Sequence, residues 1–217
     1  MRLWSLAVLL VLQTSACSAE EKVVNNEALV LEPLIVVAER PTELKKPIEA
    51  WKHRGTFKRD LIRLYGHSRY LNLVGAQIDR ESNWIHDAES WVGAYGCGQF
   101  MPATQGDAKY WARDLGKIDW GNCRQSVRAS IRYMKAILRR IKVPSHIKTE
   151  REAEAYIYRE AVKDYNRGMG NGDKERKLGY CVRRTDACEE TEIYHKDIFG
   201  KRQIKFLKMG YGKYLII

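Results

Sequence analysis

Glu81 stands at a point in the chain where a carboxylic acid would change its chemistry. Within LNLVGAQIDRESNWIHDAESWVGAYGCGQFMPAT, residues 71–104, Leu71, Val74 and Ile78 recur at three- and four-residue intervals, and Glu81 continues their face. That spacing predicts a helix over Leu71–Asn83 with a carboxylate closing its apolar stripe. Removal from water favours the neutral carboxyl, the form that a general acid needs near neutral pH. Periodicity alone fits a charge reaching out to solvent from a helix end equally well. The residues that follow tip the balance.

After the helix comes Gly93-Ala94-Tyr95-Gly96, a turn-prone segment whose backbone can approach a bulky ligand, and then Gln99, which offers both a donor and an acceptor. Trp84, Trp91 and Tyr95 add flat apolar faces with polar edges, the kind of surface on which sugar rings stack, although each taken singly also reads as core or turn. Asp79 faces elsewhere on the predicted helix, while Asp87 and Glu89 fall in the loop, where either remains open as a base for water.

The elements that must position these residues read as helices. Thr56–Tyr65 carries Phe57, Leu61 and Leu64 on one face and ends at Gly66. Pro102 suits the first turn of a helix running through Lys109, Tyr110, Trp111 and Leu115, closed by Gly116. From Asn122 to Ile141, Asn122 is a cap, and Val127, Ile131, Met134, Leu138 and Ile141 keep helical spacing. Arg128, Arg132, Lys135, Arg139 and Arg140 take the other faces, which predicts a core helix with a basic, solvated outer surface. Thr149 and Glu152 form a capping box for a helix through Tyr156, Ile157, Ala161 and Val162 that stops near Asn166, where Gly168, Gly170 and Gly172 begin. A last helix over Glu189–Phe199 would turn Ile193, Tyr194 and Ile198 inward. The basic and apolar tail 201–217 is open to reading as strand, surface contact or docking extension.

The 217 residues allow one domain with a substantial core plus appendages, and 45% hydrophobic residues exclude general disorder. A net charge of +11 favours polyanions but does not choose among nucleic acid, anionic lipid and an acidic wall polymer. Arg2 followed by the apolar run Leu3–Leu12 predicts a secretory signal over 1–19, too short for a permanent spanning helix. Thr14-Ser15-Ala16-Cys17 is similar to a lipoprotein box, which would attach lipid to Cys17, whereas cleavage after Ala16 or Ala19 would release the chain. Both routes imply export to the periplasm, with or without a membrane anchor. Residues 20–50 read as a linker, with Ala28–Ala38 as an edge strand interrupted by Pro33. Residues 51–200 read as the folded domain.

The other four cysteines allow three pairings. Joining Cys181 to Cys188 staples a short loop and leaves Cys97 for Cys123, and a metal site of Cys181, Cys188 and His195 is the alternative. No second His-rich element completes a tetrahedral metal set. Neither a metal nor an organic cofactor is expected, and the sequence sets no oligomeric state.

Taken together, the motifs resemble the soluble lytic transglycosylase (SLT) domain of bacteria and their phages. The helix ends in Glu81-Ser82; the loop carries Gly93-Ala94-Tyr95-Gly96, Gln99 and Met101-Pro102-Ala103-Thr104. Two further blocks follow in order, Tyr165-Asn166-Arg167-Gly168-Met169-Gly170 and Glu190-Thr191-Glu192-Ile193-Tyr194. The resemblance covers roughly residues 70–199. It departs from the family at Cys97-Gly98, Asp164 and Glu189, and over a longer, more basic stretch from Lys174 to Cys188.

The resemblance implies a mostly α, lysozyme-like helical domain with a catalytic cleft. It further implies that the partner is peptidoglycan, not nucleic acid, cut between N-acetylmuramic acid and N-acetylglucosamine with a 1,6-anhydro product. Glu81 would be acid and then base, so a second catalytic carboxylate is not required. By the same resemblance, Gln99, Met101, Tyr165, Asn166, Glu190 and Tyr194 line the cleft. Tyr165 would bring a hydroxyl near Glu81 or the reacting sugar, Asn166 would contact the saccharide, and Ser82 would give local support.

Overall fold

A computed structural model describes residues 48–211 of the chain, so the expected signal sequence, Cys17 and the strand Ala28–Ala38 lie outside the described residues. The described residues form α1 (Ile48–Tyr65), α2 (Leu71–Ser82), α3 (Pro102–Gly106), α4 (Ala108–Trp111), α5 (Cys123–Leu138), α6 (Glu150–Arg167), α7 (Met169–Leu178), α8 (Thr185–Asp197) and α9 (Gln203–Lys208). A 3₁₀ turn at Arg113–Leu115 and a π turn at Ile198–Arg202 complete the path. Isolated bridges pair Tyr95 with Glu89 and with Phe100. The all-helical architecture agrees with the expected fold class, and no helix among the described residues is long and apolar enough to cross a membrane.

The core is built round α2. Its apolar stripe is present, but burial does not stop at one face: Leu71 through Asp79 are all buried, including Asn72, Gln77 and Asp79. A helix enclosed on every side must have neighbours all round it. They are α1, α5, the π turn and α9. The last two show that the described part of the basic and apolar segment left open after Gly200, residues 201–211, packs on the domain. Phe206, Met209 and Tyr211 are buried, and a Cβ on Gly75 of α2 would lie 2.3 Å from the Phe206 ring, so the missing side chain on α2 is what admits α9. Residues 201–211 are a strap across the domain's central helix. Short and basic, the segment shows no period that reveals this.

The same strap lengthens α1. The sequence predicts a start at Thr56, yet the helix begins at Ile48. Tyr211 donates its hydroxyl to the Ala50 carbonyl at 2.9 Å, and Arg54 donates to the Gly210 carbonyl at 2.6 Å. Contact with the distant strap supplies what the polar start of α1 lacks in periodicity.

Elsewhere the caps act as expected. Asn122 accepts the Gln125 amide, Thr149 and Glu152 form the reciprocal capping box, and Pro102 opens α3. The single helix expected after Pro102 breaks at Asp107 and Ala112 into α3, α4 and the 3₁₀ turn. Gly168, at φ +82, ends α6, but the following glycines lie inside α7 and not in a loop. Helix α8 starts earlier than predicted, at Thr185, and Ile193 points outward at 61% exposure, whereas Tyr194 and Ile198 are buried.

The basic face of α5 is only partly solvated. Arg132 is 2% exposed and bridges Asp60 of α1 and Asp114 of the 3₁₀ turn, with Arg128 sharing Asp60. Burial raises the Asp60 carboxyl, but Arg128 and Arg132 outweigh it and hold it below the usual range; Arg132, despite its own burial, is held above its ordinary value by the two carboxylates. These arginines join helices, and charge counting on one helix face could not show that their partners came from elsewhere.

Candidate active site

Helix α2 ends abruptly. Asn83 takes φ +55 and Trp84 φ +66, a conformation that costs a bulky residue about 1–2 kcal/mol. Packing holds it there: Trp84 is 4% exposed, with its ring against Phe57, Phe206 and Tyr211. Trp84 is therefore a core residue and not a sugar platform. Trp91, by contrast, is 98% exposed on the turn in which the Gly93 amide donates to the Ser90 carbonyl.

The loop beyond is tied down on several sides. Disulfides join Cys97 to Cys123 and Cys181 to Cys188, as the short-loop pairing predicts. Two sulfurs bonded to each other offer no thiolate, which removes the alternative metal set of Cys181, Cys188 and His195. Ser82 donates to the Cys97 carbonyl at 2.9 Å, and the Gly98 amide donates to Ser126 Oγ of α5 at 2.9 Å. Gln99, at φ +48, donates from Nε2 to the carbonyls of Ala88 and Gly96, both at 2.9 Å. Ser82 and Gln99 thus brace the loop. Met101 is 41% exposed at the start of α3.

Facing the end of α2 are α6 and α8. Tyr194 of α8 donates its hydroxyl to Glu81 Oε1. Tyr165 of α6, whose hydroxyl was expected near Glu81 or the reacting sugar, donates to the Gly98 carbonyl at 2.9 Å and meets Ser130 Oγ at 2.8 Å, so it fixes the loop. It is still close enough that the Glu81 charge, after burial, helps to push its hydroxyl well above the ordinary value. Asn166 Oδ1 accepts from Thr191 Oγ1 at 2.7 Å, and Thr191 is held by Arg183 at 3.1 Å. Glu190 is exposed on α8.

Sequence reasoning did not single out Ser126, Ser130 or Thr191 as supports. Ser126 and Ser130 lie four apart beside the apolar stripe of α5, so their inward placement was readable. Arg183, in contrast, reaches Thr191 from the disulfide loop, a contact that no local pattern encodes.

Burial drives the Glu81 carboxyl up to about 7; the Tyr194 hydrogen bond and the Arg80 charge oppose the rise, and the Glu190 charge adds to it. The arrangement is a proton store that is half filled near neutral pH. Other acids nearby are differently occupied: Asp79 is buried between Arg202 and Lys205, and Asp87 and Glu89 are exposed in the loop. Tyr194→Phe removes a donor that favours the carboxylate, so the Glu81 midpoint should rise. The alkaline limb of the pH–activity profile is expected to move upward in that variant while maximal turnover falls, a result that steady-state rates from pH 5 to 9 would check.

The described residues thus form an all-helical domain with a half-buried acid at the end of its central helix, opposite a braced loop. The chain belongs to the family described as the Transglycosylase SLT domain, which matches residues 67–182. Among solved structures it is similar to the X-ray structure of an inactive mutant of the lytic transglycosylase Slt from Pseudomonas aeruginosa. That match has 21% sequence identity and a TM-score of 0.49 over 74% of this chain and 25% of that one, so this chain spans about a quarter of the length of that protein. No curated protein matches the sequence.

Proposed function

We propose that the protein is a lytic transglycosylase that cleaves the β-1,4 bond between N-acetylmuramic acid and N-acetylglucosamine in peptidoglycan, leaving a 1,6-anhydro end. Family membership supports the glycan substrate, and one observation carries the mechanism: the Glu81 carboxyl, raised to about 7, is held by a single tyrosine hydroxyl. A group half protonated at working pH can give a proton and take one back.

In the first step Glu81 protonates the glycosidic oxygen as the bond to muramoyl C1 breaks. In the second, the Glu81 carboxylate accepts the proton of the muramoyl 6-hydroxyl as that oxygen bonds to C1. The glutamate ends as it began, and no water is consumed. Tyr194 favours the carboxylate between the two steps. Asn166, Glu190 and Met101 line the glycan site, and Gln99, Ser82 and Tyr165 keep the facing loop in place.

The two disulfides suit an oxidising compartment. With the signal expected at 1–19, they support export to the periplasm, where a lipid on Cys17 would anchor the chain and plain signal cleavage would release it. Mass spectrometry of digested peptidoglycan tests the reaction: anhydromuramoyl ends are expected, and reducing muramoyl ends would make the protein a hydrolase using the same acid.

A further inference from the structure

Asp79 is buried two residues before Glu81 on α2 and takes no part in the reaction above. Its partners come from the strap, which lies outside the matched residues 67–182. Arg202 Nη1 donates to the Asp79 carboxylate and also, at 3.0 Å, to the Asp79 backbone carbonyl. Lys205 Nζ donates to both carboxylate oxygens at 3.0 and 3.1 Å. That carbonyl also receives the Asn83 amide that closes the helix, at 3.1 Å, so the guanidinium grips the last turn of α2 itself.

The contacts continue toward the acid. Arg202 Nε donates to Asp197 at 2.7 Å, and Arg80 meets the same carboxylate oxygen at 3.4 Å. The Arg80 guanidinium lies 5.7 Å from the centre of the Tyr194 ring, and Tyr194 holds Glu81. A run of ion pairs therefore circles the end of the helix from Asp79 to the groups beside the reacting carboxyl. A buried carboxylate bound by cations is often no more stabilising than apolar side chains filling the same space, so stability alone does not account for it.

We propose that Asp79 and Arg202 are positioning residues for Glu81, fixing the last turn of α2 and balancing the charge around the acid; this rests on the reading of Glu81 as acid and base. The charged and titratable groups facing Glu81 are Arg80 from its own helix, Tyr194 and Glu190 from α8, and Tyr165 from α6. Loss of the Asp79 charge leaves Lys205 without its carboxylate and Arg202 with Asp197 alone, and loosens the turn. Excess positive charge and entering water both favour the Glu81 carboxylate.

The test uses the full chain, comparing wild type with Asp79→Asn and Arg202→Lys, the latter keeping the charge but not the two-way grip. Turnover of purified peptidoglycan and a ¹³C NMR titration of the Glu81 carboxyl, assigned with Glu81→Gln, are the readouts. In Asp79→Asn, kcat is expected to fall by about tenfold to a hundredfold with KM within about twofold, the size of effect a small misplacement of the acid produces. The Glu81 midpoint moves down, and Arg202→Lys shows a smaller fall in kcat. Wild-type kcat with an unmoved midpoint in folded Asp79→Asn overturns the proposal, as does a kcat loss fully explained by a smaller folded fraction. If Asp79→Asn does not fold, Arg202→Lys decides on the same two readouts. Activity retained by Glu81→Gln would defeat the proposed reaction instead, and the titration would still show whether Asp79 governs the carboxyl.

Discussion

Glu81→Gln is expected to lower turnover of purified peptidoglycan by about 10³-fold or more, since each proton transfer by a positioned group is worth about 10²–10⁴ and this residue makes two. The amide can neither protonate the glycosidic oxygen nor accept the 6-hydroxyl proton. Its oxygen can still accept the Tyr194 hydrogen bond, so the fold loses little. Stability should in fact rise, in a manner that pH reveals. Below the ordinary carboxyl value of 4.5, folded and unfolded chains both hold the Glu81 proton, and the two proteins should melt alike. As pH climbs from 4.5 to about 7, the unfolded chain releases the proton while the folded one retains it, so wild type loses stability across that window. The total loss is about 3 kcal/mol, and the glutamine variant does not suffer it. Thermal melts at pH 4, 6 and 8 should show a gap in favour of Glu81→Gln that opens with pH. A gap that stays constant would place Glu81 near its ordinary value, and retained activity would remove it from the chemistry.

The acid was legible in the sequence because two local signals met at it: an apolar stripe of period 3.6 and a glycine-rich loop that begins where the stripe ends. Caps at Asn122 and Thr149 were legible for the same reason, since a cap is a contact between residues three apart. What failed was whatever depends on residues distant in the chain. The strap reads as a basic tail because its role is set by Gly75, Trp84 and Ala50, all more than a hundred residues away. Arg132 reads as solvated because Asp60 and Asp114 come from other elements. Tyr165 and Tyr194 were both readable as cleft residues, but which of them would reach Glu81 was not. Two tyrosines on different helices differ in reach through helix placement alone. Trp84 stayed open for a related reason: an aromatic next to a candidate acid suits a sugar platform and a core plug equally, and its packing on Phe57, Phe206 and Tyr211 comes from distant residues.

Gly96→Ala should be the most damaging substitution in the loop, and Gly93→Ala three residues earlier is its internal control. Both glycines have left-handed backbone, at φ +77 and +83, so each alanine meets a similar conformational cost of about 1–2 kcal/mol. Their surroundings differ. A Cβ at Gly93 would find nothing within 4 Å, whereas one at Gly96 would lie 2.0 Å from the Trp120 carbonyl oxygen and 3.0 Å from its carbon. That backbone has nowhere to retreat. The Trp120 ring packs on Phe100 at 4.9 Å, and Cys123, three residues on, is bonded to Cys97, the neighbour of Gly96 itself. The strain must instead move the loop, where Gly96 donates to the Ala88 carbonyl and receives the Gln99 amide, both at 2.9 Å. Urea unfolding is expected to show a loss of about 3–5 kcal/mol for Gly96→Ala, combining backbone strain with overpacking, against about 1–2 kcal/mol for Gly93→Ala. Turnover of the folded fraction should fall by about 10²-fold in the first variant and little in the second, because only the first shifts the wall that faces Glu81. Equal effects from the two alanines would show that the Trp120 backbone yields, and that the loop's rigidity comes from its own turn and not from the disulfide-anchored wall behind it.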